Sequence, residues 1–258
     1  VAVVMPVFNE GDGLEETLKE LELVGATSNV HLHLFVQDDR SADDSVEILH
    51  SYQSDKFSLH LESNAFRLGH GASVRRGYER AIGSDSSVTI QLDGDGQFRS
   101  EDVVRLIRTI RSGRKFAWAT RKLRSGPGYR RLGTMTLRLL ILLFFNRKIA
   151  DVNSPIRAFS TEFLEKILPC IPKDSVIPNV HLSVLCCRYT DLIESFDVVD
   201  QVRRGASEQG TSWSSSGRDF LSPLRFFVFA LKAFWGVVQI RLQLLRRTND
   251  SSIFSGTG

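Results

Sequence analysis

The sequence predicts an α/β fold in which a mostly parallel sheet is flanked by helices on both faces. Three observations predict it. Short apolar runs alternate with segments of helical spacing from Val1 to Ala119. Several of the runs are nearly continuous in Val, Ile, Leu and Phe, as strands buried on both faces are. Finally, three strand ends carry acids: Glu10, Asp38 with Asp39, and Asp93 with Asp95. Ligands of such sheets bind beyond the carboxyl ends of the strands. With 258 residues, 42% hydrophobic and 24% charged, the chain suits one large domain with a substantial core.

The elements follow in order. Val1–Val7 is an apolar run that empties through Pro6 into the polar Asn9-Glu10, a buried strand followed by a loop. Leu14, Leu18 and Leu21 then recur at helical spacing. His31–Val36 alternates before turning apolar, and ends at Gln37-Asp38-Asp39. Ser41-Ala42-Asp43-Asp44-Ser45 supplies capping residues for a helix running to Tyr52. Phe57–Leu61 is a short strand, Ala72–Ala81 a helix, Val88–Leu92 a strand, Ser100–Arg111 a helix and Lys115–Ala119 a strand. A further helix begins after Pro178. There is no internal repeat, and no Gly-x-Gly-x-x-Gly follows the first strand, which argues against an NAD-type dehydrogenase.

Asp93-Gly94-Asp95-Gly96-Gln97 is the most informative stretch. Two carboxylates one residue apart at a strand end repel each other and are costly to desolvate unless a cation joins them. Mg²⁺ or Mn²⁺ suits such oxygen ligands and completes its shell with phosphate oxygens and water, so the motif points to a diphosphate-bearing substrate. Intervening glycines allow a sharp turn and a close ligand approach. By itself the same pattern also describes a solvated turn or a calcium-binding loop.

Charge is unevenly placed. Val103–Ala150 holds thirteen Lys or Arg and no Asp or Glu, so the remainder is net acidic although the whole carries +3. Arg105, Arg108, Arg111, Arg114 and Lys115 read as the solvated side of a helix and its end. Arg121, Lys122, Arg124, Arg130 and Arg131 flank the broken stretch Ser125-Gly126-Pro127-Gly128, and such a positive loop faces phosphate, anionic lipid or nucleic acid. Nucleic acid is the weakest of these, for the aromatics of a single-strand platform are missing. Cys170, Cys186 and Cys187 lack a paired metal spacing and read as buried thiols in a reducing compartment. The start at Val1, with no charged leader, reads as a trimmed chain or a cytosolic protein.

Four ordered motifs carry a family resemblance: Val4-Met5-Pro6-Val7-Phe8-Asn9-Glu10, Asp38-Asp39-Arg40-Ser41 with Asp44-Ser45, Asn64…Gly69-His70-Gly71-Ala72…Gly77…Ala81, and Asp93–Gln97. Together they resemble the inverting GT-A glycosyltransferases of family 2, in particular the dolichyl-phosphate mannose synthase and polyprenyl-phosphate branch. The likeness covers Val1–Arg121 and thins afterwards, where Asp151…Ser154-Pro155-Ile156-Arg157 is similar to the family's Asp…Ser-Gly-Phe-Arg. It implies that Pro6, Phe8, Glu10, Val36 and Asp38 line a base and ribose pocket, with Asp39 near the nucleotide or sugar. It implies that Asp93, Asp95 and Gln97 hold the metal, and that Arg121 helps neutralise the leaving diphosphate. Arg130 and Arg131, with Arg157 behind them, are candidates for an acceptor phosphate, and His181 for a phosphate contact or a base. Arg203 or Arg204, with Ser212, resembles a late arginine and serine that meet donor phosphates.

The implied enzyme moves a hexose from a GDP- or UDP-sugar to a polyprenyl phosphate, using Mg²⁺ or Mn²⁺. The competing readings are a transferase with a hydroxyl acceptor and a non-catalytic nucleotide-binding scaffold. Leu137–Phe145 is apolar but too short to cross a bilayer, and Arg225, Lys232 and Arg241 interrupt Phe220–Leu245. The latter reads as an interfacial amphipathic segment at a cytoplasmic membrane face, giving a catalytic domain over 1–215 and an interface region with a tail over 216–258.

Overall fold

The computed structural model describes residues 1–121, 128–145, 149, 151, 154, 156–172, 175, 178–199 and 234–242. Its elements in chain order are β1 (Ala2–Val7), α1 (Gly11–Ser28), β2 (Leu32–Asp38), α2 (Ser45–Ser51), β3 (Phe57–Ser63), α3 (His70–Ile82), β4 (Val88–Leu92), α4 (Ser100–Arg111) and β5 (Phe116–Arg121). Then come α5 (Gly128–Phe145), β6 (Ile156–Ser160), α6 (Thr161–Ile167), α7 (Pro178–Tyr189) and β7 (Ile193–Val198). Residues 234–242 are helical.

One seven-stranded sheet has the order β3-β2-β1-β4-β6-β5-β7. Strands β1 to β5 and β7 share one direction, and β6 alone opposes its neighbours β4 and β5. The expected largely parallel sheet is therefore observed, with one reversed strand that the apolar pattern did not mark. Its direction follows from where the chain stands: Asp151 pairs with Arg121 at the carboxyl end of β5. A strand entered from that edge has to run the other way.

Two apolar layers cover the sheet. Val3, Met5, Val7, Leu34 and Val36 meet Leu14, Leu18 and Leu21 of α1 and Val103, Leu106 and Ile107 of α4. Ala2, Val4 and Phe35 point the other way, toward Val74, Tyr78 and Ala81 of α3. This alternation is the two-residue period of a strand buried on both faces. On α4 the arginines Arg105, Arg108 and Arg111 are exposed, the solvated face that their spacing predicted. Asn29 closes α1 with a left-handed φ of 50° and its N–H bonded to Gly25 and Ala26 carbonyls, a role asparagine tolerates.

The expected capping stretch Ser41–Ser45 does supply the cap of α2, through Asp43. Asp44 makes no side-chain cap bond; the Asp43 carboxylate instead accepts from the Ser45 N–H at 3.1 Å and from the Gly11 N–H at 2.9 Å. One acid thereby satisfies the first turns of both α1 and α2. The segment called apolar at Leu137–Phe145 forms the end of α5, where Ile141 is buried while Leu139 and Leu143 are exposed.

Helix α3 approaches β1 so closely that a Cβ at Gly77 would overlap the Val4 side chain, and Val4 is fully buried. Gly77→Ala is expected to cost about 1–3 kcal/mol through overpacking. Urea denaturation of the variant checks this; an unchanged midpoint would contradict the close approach.

Candidate active site

The loops after β1, β2 and β3 interlock at the carboxyl edge of the sheet. Asn9 adopts φ 53° and Arg40 φ 66°, left-handed conformations that cluster where surrounding structure enforces them. The Asn9 N–H donates to Ser41 Oγ at 3.0 Å, and its Oδ1 accepts from the Ala42 N–H at 2.8 Å. The Glu10 N–H donates to Ser45 Oγ at 3.0 Å. Asp38, 2% exposed, accepts from the Ser41 N–H at 3.0 Å. The loop after β2 is thus folded back on the loop after β1.

Asp39 fastens the third loop. Only 3% exposed, it accepts from the N–H groups of Leu68 (2.7 Å) and Gly69 (2.8 Å) and from Asn64 Nδ2 (2.9 Å). Gly69 has φ 87°, a region that favours glycine, and α3 begins with the next residue. Asn64, also buried, accepts at Oδ1 from Gln37 Nε2 (3.0 Å) and Arg76 Nη1 (2.8 Å). Sequence reading placed Asp39 near the nucleotide; the structure shows its oxygens engaged with the Asn64–Gly69 loop.

At the end of β4, Asp93, Asp95 and Gln97 are half-buried while Gly94, Gly96 and Phe98 are buried. The chain turns sharply after Leu92, where the Asp95 carboxylate accepts from the Gln97 N–H at 3.2 Å, and Phe98 anchors the turn in the core. A Cβ at Gly94 would lie 3.2 Å from the Pro6 carbonyl, and Gly96 has φ 67°. Glycine is favoured at Gly96 by conformation and at Gly94 by space. Gln91 Nε2 donates to Asp93 Oδ1 at 3.0 Å, and Tyr78 Oη donates to Gln91 Oε1 at 3.4 Å. Burial pushes the Tyr78 phenol well above its ordinary pKa, so it remains a donor and orients the chain that ends on Asp93.

Among the remaining nucleotide-pocket candidates, Phe8 carries the Arg67 guanidinium 3.9 Å from its ring centroid, a cation–π contact. Arg67 also lies 4.0 Å from Asp39. Arg67 carries no sequence signal and emerges only from three-dimensional proximity, whereas Asn64 stands in a recognised motif whose structural role the fold supplies. Pro6 and Glu10 stand beside this edge, whereas the Val36 side chain is fully buried in the α1-facing core and its carbonyl accepts from Arg80 Nη1 at 3.0 Å, so the structure places Val36 inside the sheet rather than in an open pocket.

The basic candidates separate. Arg121 forms an ion pair with Asp151, Nε to Oδ2 at 2.9 Å, with 11% and 4% side-chain exposure. Arg157 is fully buried; its Nη1 donates to the Asn179 carbonyl (3.2 Å) and its Nη2 to the Ser154 carbonyl (3.0 Å). His181 is 1% exposed, with Nδ1 2.8 Å from Ser175 Oγ and Nε2 3.3 Å from the Gly236 carbonyl. The structure therefore places Arg157 and His181 inside the protein, bracing α7 and residues 234–242, rather than on an open surface. Arg130 and Arg131 belong to the start of α5, and their side chains lie outside the described residues. Arg203, Arg204 and Ser212 lie outside them entirely. Among the described cysteines, Cys186 and Cys187 are buried and Cys170 partly so.

Asp39→Ala is expected to destabilise the protein by ~3 kcal/mol, since a buried carboxylate holding several donors is removed and those donors are left unpaired. Denaturant unfolding and calorimetric binding of a nucleoside diphosphate measure the two consequences. Wild-type stability in the variant would contradict the anchoring role.

Comparison with known proteins agrees with this architecture. Residues 2–168 match the model of the family described as Glycosyl transferase family 2. The chain is 28% identical over 184 residues to the undecaprenyl-phosphate 4-deoxy-4-formamido-L-arabinose transferase of Pectobacterium carotovorum, covering 69% of this chain and 54% of that protein. It is 26% identical over 180 residues to the Klebsiella pneumoniae protein of the same name, with the same coverage. The chain thus spans about half the length of the curated relatives it matches. Among solved structures, glucosyl-3-phosphoglycerate synthase from Mycobacterium tuberculosis, in complex with Mn²⁺, uridine diphosphate and phosphoglyceric acid, superposes with TM-score 0.64 at 15% identity. That match covers 93% of this chain and 78% of the other. Mannosyl-3-phosphoglycerate synthase from Rubrobacter xylanophilus gives TM-score 0.62 at 14% identity, covering 97% and 75%. These likenesses establish the GT-A fold, and with the family match over most of its length the chain belongs to glycosyl transferase family 2.

Proposed function

We propose that this chain is a divalent-cation-dependent, inverting glycosyltransferase that moves a hexose from a GDP- or UDP-sugar to a polyprenyl phosphate. The observation that carries the reading is the β4 terminus, where the half-exposed Asp93, Asp95 and Gln97 follow one another on a turn packed against Pro6 and Glu10, beside the interlocked loops after β1 and β2. The names of the relatives, which act on undecaprenyl phosphate, support the acceptor.

The donor set fits Mg²⁺ or Mn²⁺ on its chemistry. Carboxylate and amide oxygens are hard ligands, and among the described residues no group of three or more His, Cys, Asp or Glu is gathered closely enough to hold a metal ion by itself, so the ion would rely on water and substrate phosphates for the rest of its shell. Such an open site suits an ion that keeps waters and binds substrate phosphates. When bound, the cation supplies Lewis-acid stabilisation of the departing diphosphate. The chain's own residues do the rest. Pro6, Phe8, Glu10 and Asp38 border the nucleotide, and Asp39 keeps the Asn64–Gly69 loop in place around it. Arg121, held by Asp151, positions a positive group near the leaving charge, with Arg204 and Ser212 from the late segment adding to it. A phosphate acceptor is already ionised, so it requires placement more than deprotonation. Arg130 and Arg131, at the start of α5, take that task.

The acceptor's lipid explains an exposed apolar surface. Met135, Leu139 and Leu143 recur every fourth residue along α5 at 63%, 55% and 70% exposure. Residues 234–242 bury Val237 and Ile240 while exposing Phe234, Trp235 and Leu242. Phe144 meets Phe234 edge-on, joining the two helices. This part of the expected interface segment is docked on the domain by one face and open on the other; 220–233 and 243–245 lie outside the described residues. No helix among the described residues is long and apolar enough to cross a membrane. The reading is peripheral attachment at the cytoplasmic membrane face, through aromatic and apolar side chains with Arg138 and Arg241 beside them.

The test offers nucleotide sugars and polyprenyl phosphate in vesicles, with Mg²⁺ or Mn²⁺, and measures lipid-linked product. Wild type is expected to form it, and Asp95→Asn to lose about 100-fold or more in kcat. A Leu139→Gln, Trp235→Gln variant is expected to slow transfer in vesicles but not to a detergent-soluble short-chain acceptor. Transfer confined to hydroxyl compounds would reject the lipid-phosphate acceptor.

A further inference from the structure

The cation site proposed above is bordered by a side chain that its oxygen-ligand description does not use. His70 is the first residue of α3, and its Nε2 lies 3.8 Å from Asp93 Oδ1, with the two side chains 38% and 36% exposed. That separation exceeds an N–H···O hydrogen bond, which closes at about 2.7–3.2 Å. The two atoms face each other across a gap. Two metal–ligand bonds of about 2.1 Å each span up to about 4.2 Å, so one cation reaches both atoms.

The placement of both groups is enforced from inside the protein. Asp93 is oriented by the buried Gln91. His70 follows Gly69, whose N–H is bound by the buried Asp39 at 2.8 Å. On its far side the first turn of α3 is fixed as well, since a Cβ at Gly71 would strike the Pro178 ring at 2.8 Å. The start of α3 is thereby held between Asp39 and α7. The first turn of α3 contains no acid, which leaves its amide ends and His70 as the groups it offers to an anionic ligand.

We infer that His70 is a nitrogen ligand of the divalent cation held by Asp93, and that it sets the site's metal preference. This rests on the proposed cation-dependent reading and adds to it a mixed nitrogen and oxygen donor set. Imidazole binds Mg²⁺ poorly and later first-row divalent metals better, so a histidine beside a carboxylate favours Mn²⁺ over Mg²⁺. A nucleoside diphosphate and water complete the shell. Position 70 thereby becomes a determinant of which metal supports the donor complex.

Electron spin-echo envelope modulation on Mn²⁺ bound to the full chain with a nucleoside diphosphate tests this without any turnover. The expected spectrum shows a directly coordinated nitrogen that disappears in His70→Gln. In parallel, competition between Mn²⁺ and Mg²⁺, read from the free-Mn²⁺ resonance, is expected to show the Mn²⁺ preference falling at least about tenfold in the variant. Mn²⁺ bound with oxygen ligands only, or a nitrogen signal that survives His70→Gln, overturns the inference and leaves the cation reading standing. Failure of Mn²⁺ to bind at all in the presence of the diphosphate overturns both.

Discussion

Carboxylates at the ends of buried strands need donors or a cation, and this constraint organises the carboxyl edge of the sheet. Asp39 is satisfied wholly within the protein: a loop wraps around it and delivers two backbone N–H groups and an amide. That wrapping sets the start of α3, which in turn packs on β1 through the missing side chain of Gly77. Asp43 performs a similar service for the first turns of α1 and α2. The local structure around the site is largely the set of solutions to this one desolvation problem.

Asp93 receives a different solution. It sits half-exposed on a turn, accepts from Gln91 and faces His70 across a gap too wide for a hydrogen bond. A carboxylate oriented this firmly but left toward solvent is suited to a ligand that arrives from outside. Arg121 stands at the opposite limit, in a buried pair with Asp151. Desolvating such a pair costs much of what its attraction returns, so it contributes little to stability. What the pair supplies is a fixed position for a guanidinium at the end of β5.

The sheet was legible because strands buried on both faces write continuous apolar runs, and because α3 and α4 keep a clear helical period. Strand β6 was not, since strand direction depends on the edge from which the chain enters, and no local residue records that. The turn at the end of β4 was legible from the glycines of Asp93–Gln97, and its paired acids mark it as a candidate cation site only in company with the acids at the neighbouring strand ends. The inward placement of Arg157 and His181 was hidden. A basic residue in sequence looks the same whether it faces a phosphate or a pair of buried carbonyls. His70 was visible only as part of a glycine-rich match, because its nearness to Asp93 arises from two loops separated by a helix and a strand.

On the proposed reading a cation and a diphosphate meet at the carboxyl edge, between the ends of β1, β2 and β4. Paramagnetic broadening of backbone amide resonances by Mn²⁺, recorded with a nucleoside diphosphate present, tests it most directly. Signals of Phe8–Glu10, Asp39, Gly69 and Gly94–Gln97 are expected to vanish while those of Val88, Phe116 and Ile193, at the amino edge of the same sheet, persist. Broadening centred on the amino edge, or spread evenly over the protein, would contradict it.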